Sequence, residues 1–146
     1  MAADPSLAPV CLRPRAIGPM MPQRDLLVAG DHRLLIPGYR LTDQPDTAAA
    51  LIPAREIAGT SDAAFVDRTR GDITFYNLVF DTHEVFAANG MAVESFLITE
   101  DALDLVPADV RARIGAALPE VATRAEPHRA LGYPVAGRES YLPEYA

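Results

Sequence analysis

Apolar residues come in short bursts up to about residue 98 and at helical spacing beyond it. Val10-Cys11-Leu12 and Leu26-Leu27-Val28 are three-residue runs, and Leu34-Leu35-Ile36 is a third, entered through His32-Arg33 and closed by Pro37-Gly38. Ala29-Gly30-Asp31, between the second and third, is turn chemistry, so this region reads as a β-hairpin with His32 beside the turn. Residues 51–58, with Pro53 near the start and Gly59 after the end, suit a very short helix or a small extended segment. Phe65-Val66 marks a further strand. Thr42 to Thr47 is a polar loop, expected to be the most mobile part of the chain.

The longest patterned stretch is Phe75 to Gly90. Two aromatic-rich apolar runs are joined by Asp81-Thr82-His83, and the second ends in Asn89-Gly90. Strand, tight turn and strand is the natural reading. Asn89-Gly90 marks a turn needing positive φ, which Gly supplies and Asn tolerates. Met91 to Leu97 continues as a strand. Thr99-Glu100-Asp101 then opens a helix with a hydroxyl cap and acids in the first turn. Leu103, Val106, Val110, Ile114 and Leu118 keep helical period, as core or interface positions. Pro107 begins a second helix rather than sitting inside one, and Pro119 ends it. The expected organisation is a β-rich region over 1–98, a helical segment over 99–119 and an irregular, proline-rich tail over 120–146 laid on the surface.

Composition narrows the function. The 146 residues suffice for one domain with a modest core, and 49% hydrophobic with 23% charged is globular composition. A formal charge of −7 and a pI near 4.8 argue against nucleic acid or anionic membrane as partners. All 13 basic residues are arginine, which excludes lysine Schiff-base chemistry. Cys11 is the sole cysteine, so neither an internal disulfide nor a multi-cysteine zinc site is available. No run is long enough to span a bilayer, and the start lacks a secretory signal pattern. The compartment is left open between the cytoplasm and export within a larger polypeptide.

The Phe75–Gly90 stretch resembles the C-terminal signature of the Hint superfamily, the autoprocessing fold shared by Hedgehog proteins and inteins. Tyr76, Asp81, His83, Phe86, Asn89 and Gly90 match it in order and spacing. Ala29-Gly30-Asp31-His32 with Leu34-Leu35-Ile36 is similar to the family's other histidine block. Ala16-Ile17-Gly18-Pro19, Arg24 to Val28, Asp31-His32-Arg33, Pro53-Ala54-Arg55, Glu94-Ser95-Phe96 and Arg111 to Ile114 resemble a bacterial Hint-like branch not embedded as inteins. The likeness covers roughly residues 10–120. It implies a mainly β, partial Hint-like fold with a C-terminal helical cap.

The resemblance also implies self-cleavage. A Cys or Ser attacks the carbonyl of the residue before it, and a thioester or ester replaces the amide. His32 matches the histidine that polarises the scissile amide and protonates the departing nitrogen, a task suited to an imidazole. His83 and Asp81 complete the candidate catalytic set. Departures from the pattern are equally specific. None of the 31 residues before His32 resembles the block that carries the nucleophile, and Cys11 aligns away from its place. Ala29 stands where a hydroxyl is usual, and Asn77 stands where an acid, cysteine or histidine is expected. Glu94-Ser95 replaces the His-Asn of inteins, which removes side-chain cyclisation.

Plainer roles stand beside these. His32 suits a structural role beside a hairpin turn, His83 suits a turn histidine bonded to backbone groups, and His128 falls in the tail. Cys11 suits a small buried hydrophobe. Ser95 has no adjacent base. A metal held by His32, His83 and Asp81 lacks short ligand spacing, so neither metal nor cofactor is expected. Three functions follow from the sequence. The chain is a truncated or degenerate autoprocessing domain unable to cleave alone, half of a split domain completed by a partner chain, or a non-catalytic interaction module. Each leaves β edges to be met by a partner or by a second copy as a homodimer.

Overall fold

The computed structural model describes residues 8–42, 49–69, 78, 80, 82–97, 99–119 and 133–142. The chain divides into two compact units. The first holds the strands and residues 133–142; the second holds residues 78–84 and 95–119 of those described. The protein is mostly β, with two antiparallel sheets and helices following them.

In the first unit, β1 (Val10–Leu12) is the centre of a three-stranded sheet between β2 (Leu26–Val28) and β5 (Ala64–Val66). Cys11 faces Leu27 on one side and Phe65 on the other. A four-stranded sheet runs in the order β4 (Ala49–Pro53), β3 (Arg33–Pro37), β7 (Met91–Glu94), β6 (Val85–Ala88). One core serves both sheets: Leu12, Leu34, Ile36, Ile52, Ile57, Met91 and Val93 are each at most 1% exposed. Leu34 and Ile36 point inward on β3 while Arg33, Leu35 and Pro37 are half-buried, the period-two pattern of a strand with one core face.

The turn between β6 and β7 is made by Asn89-Gly90, with φ of +50° and +84°. Two positive φ values in a two-residue loop match the right-handed twist of the flanking strands. A side chain at Gly90 would also meet Gln23 Cγ at 2.8 Å and the Met20 carbonyl at 3.0 Å. The Gln23 amide donates to the Asn89 carbonyl at 2.7 Å. The turn therefore tolerates only glycine at its second position, for conformation and for space alike.

Three expectations about the strands change. Residues 26–36 do not form a hairpin, because β2 pairs with β1 and β3 with β4 and β7. The bend between them is pinned elsewhere: Gly30 and His32 carbonyls accept from Arg55 and Ala54 amides at 2.8 and 2.9 Å. Residues 51–53 are strand, and the helix α1 (Ala54–Ile57) starts only after Pro53, whose lack of an amide proton costs nothing at that point. Gly59, at φ +86°, follows its end as expected. The strand read over residues 91–97 stops at Glu94.

In the second unit, Thr99 caps α2 (Glu100–Leu105), its hydroxyl accepting from the Ala102 amide at 3.0 Å. Pro107 caps α3 (Ala108–Ala117). Leu103 is buried under Phe96, Ile114 and Leu118, so three of the five periodic positions meet in one small apolar cluster. Residues 133–142, expected on the surface, belong to the first unit, and their Tyr141 is 5% exposed within its core. The proposed strand over residues 75–80 lies outside the described residues except Leu78 and Phe80, as does the polar loop beyond Thr42. Among the described residues, no helix is long and apolar enough to cross a membrane.

Candidate functional site

His32 precedes β3 at the point where that strand runs beside the end of β7, since Leu34 pairs with Val93. The His32 backbone is held at both ends. Its amide donates to the Ala29 carbonyl at 3.1 Å, and its carbonyl accepts from Ala54 at 2.9 Å. The half-buried imidazole places Nε2 2.9 Å from the Glu94 carbonyl oxygen. A carbonyl can only accept, so Nε2 carries the proton of the neutral ring and Nδ1 keeps the lone pair. Nδ1 has no hydrogen-bond partner among the described residues.

Glu94 is itself fixed. Its carboxylate takes two parallel bonds from Arg33, Nε to Oε1 at 2.6 Å and Nη2 to Oε2 at 2.7 Å. The side chains are 22% and 11% exposed, so this fork is shielded enough from water to count. The result is a closed relay of β3 and β7: Arg33 holds the Glu94 side chain, and Glu94 holds the imidazole next to Arg33. The pairing of Arg33 with Glu94 was not read from the sequence. Both fall in fragments that carry the family resemblance, Asp31-His32-Arg33 and Glu94-Ser95-Phe96, but nothing in those fragments marks the two as partners.

His83 lies in the second unit and is 1% exposed. Nearby, Glu84 and Ser95 bind reciprocally. The Ser95 amide donates to the Glu84 carbonyl at 2.7 Å, and the Glu84 amide donates to Ser95 Oγ at 2.8 Å. The Thr82 hydroxyl donates to the Glu84 carboxylate. Ser95 is 2% exposed and its oxygen is already accepting, so it is built as a structural hydroxyl rather than as a nucleophile. Asp81, Tyr76 and Asn77 lie outside the described residues.

Cys11 is 2% exposed in the middle strand of its sheet, with ladder partners on both sides. A thiol buried to this degree is out of reach of a reacting carbonyl and is chemically quiet. Among the described residues, no three His, Cys, Asp or Glu side chains are grouped to hold a metal ion.

These features define a β-rich domain in which the His32 ring is tethered to a main-chain carbonyl. The family model of the Hint domain matches residues 1–100. This chain belongs to the Hint domain family. No curated protein and no solved structure matches it.

Proposed function

We propose that this Hint domain is of the autoprocessing kind and that His32 is its proton-carrying group, through Nδ1. The observation that supports this most is the 2.9 Å contact of Nε2 with the Glu94 carbonyl. It fixes the ring orientation and the tautomer, and so leaves one nitrogen to take up and deliver a proton. In the acyl shift that family resemblance suggests, a thiol or hydroxyl adds to the carbonyl before it. The C–N bond breaks as the C–S or C–O bond forms, and the nucleophile's proton passes to the departing nitrogen. An imidazole exchanges protons near neutral pH and serves that transfer. His83, 1% exposed, is assigned a structural rather than a catalytic role.

The proposal includes a limit: residues 1–146 do not cleave by themselves, because the nucleophile comes from outside them. Cys11 is sealed in a sheet and Ser95 Oγ is committed to a backbone amide. A preceding segment or a partner chain supplies the missing group. A second reading, a non-catalytic interaction module, draws on the outer edge of β2, which has no ladder partner among the described residues and can accept a strand from another chain.

Mass spectrometry of fusions carrying an upstream tag separates these readings. The expected result is no cleavage alone and thiol-dependent cleavage once a Hint N-terminal segment bearing a cysteine is supplied, abolished by His32→Ala. Persistent integrity with that segment bound abandons catalysis in favour of the interaction module. Cleavage that survives His32→Ala removes His32 from the mechanism.

A further inference from the structure

We propose that residues 133–142 are a docked peptide and that the first unit carries a groove for extended segments, filled here by the chain's own tail. The groove runs from the outer edge of β4 to residues 40–42, and its preferred occupant has an arginine three positions before a tyrosine. This inference concerns the first unit alone and is independent of the reading given to His32.

The segment is held by its backbone at two places. Beside β4, Leu51 donates to the Pro134 carbonyl at 2.8 Å and accepts from the Ala136 amide at 2.9 Å, a parallel bridge between Leu51 and Val135. Further on, Thr42 donates to the Ser140 carbonyl at 3.0 Å, and Leu142 donates to the Arg40 carbonyl at 2.7 Å. Such pairing gives strength without regard to sequence, as when a peptide adds to an open sheet edge.

Two side chains then give selectivity. The Arg138 guanidinium spans the end of α1, with Nε 3.0 Å from the Glu56 carbonyl and Nη2 2.6 Å from that of Ala58. Those carbonyls lack helical partners at a C-terminus, where a cation is also favoured. Tyr141 drops into the core, its hydroxyl 3.5 Å from the Ala16 carbonyl. Ser140 is also buried and Ala136 rests on the core, but much of the segment faces water: Tyr133, Val135 and Leu142 are 38%, 57% and 39% exposed. Paired backbone, mostly exposed side chains and a single large anchor sunk into the core are the marks of a bound peptide, not of a core strand. Arg and Tyr are also the side chains that dominate binding energy when placed in pockets.

Scission of the folded chain tests this. A site for a sequence-specific protease is placed between residues 119 and 133 of the full-length protein and cut after folding. Native mass spectrometry should find the C-terminal fragment still bound. A labelled synthetic peptide of residues 133–146, in excess, should exchange into the groove. Peptides carrying Arg138→Ala or Tyr141→Ala should bind weaker by about tenfold or more. The proposal is overturned if the fragment leaves and the peptide does not rebind. It is overturned equally if the fragment never exchanges, if either variant peptide exchanges like the parent, or if strand circular dichroism is lost on displacement, since the segment is then an ordinary part of the fold.

Discussion

His32 and Glu94 are 62 positions apart, yet the imidazole Nε2 sits 2.9 Å from the Glu94 main-chain oxygen. Because the acceptor is backbone, no substitution at position 94 removes it, and the tautomer is a property of the sheet. Long-range proton–nitrogen NMR spectra of the neutral ring should show Nε2 protonated and Nδ1 bare. Comparable populations of both tautomers would contradict the assignment of Nδ1 as the proton carrier.

The Arg33–Glu94 fork should be measurable as stability. Hydrogen bonds to charged groups are worth about 1.5–3 kcal/mol when shielded, and much less when solvated. With part of each side chain in water, Glu94→Ala or Arg33→Ala is expected to cost about 1–2 kcal/mol. In urea unfolding, the double variant should lose less than the sum of the two, because either change already breaks the fork. Strict additivity would mean the pair contributes nothing.

Cys11 should be unreactive while the protein is folded. A thiol 2% exposed at the centre of a sheet meets reagent only when β2 or β5 leaves β1. Labelling by a soluble disulfide reagent is expected to be slower than in the urea-unfolded chain by about 10³-fold or more, following the population of open states. Rapid labelling of the native protein would reopen Cys11 as a nucleophile.

Ser95→Ala removes the acceptor of the Glu84 amide and leaves that donor without it beside a buried position. The expected cost is about 0.5–1.5 kcal/mol, the net worth of an ordinary hydrogen bond at a part-buried site. Hydrogen exchange should localise it, with the Glu84 amide exchanging markedly faster. Unchanged protection there would show that the hydroxyl is replaceable.

Much of this was legible in the sequence, unevenly. Val10–Leu12, Leu26–Val28 and Arg33–Pro37 are bracketed by Pro, Gly and polar turns, and local chemistry is enough to end a strand. The Asn89-Gly90 turn and the Thr99 cap were equally local, as was the start of a second helix after Pro107. What failed was partnership. Leu26–Val28 and Arg33–Pro37 look like two arms of one hairpin, but Arg55 and Ala54 amides capture the bend and send the arms to different sheets. Residues 51–53 carried a helix-like Pro and Gly frame, and only their pairing with β3 makes them strand. At the candidate site, His32 was visible as a residue type. Its acceptor was not, because a main-chain oxygen leaves no letter in the sequence.

The bridge between Leu51 and Val135 also has a consequence in time. As the chain leaves the ribosome, β4 appears roughly eighty residues before the segment that covers its outer edge, an interval of about 4–16 s at 5–20 residues per second. Throughout that interval a nascent chain presents an open strand to its neighbours on the same message, and residues 133–142 act as the closing stitch.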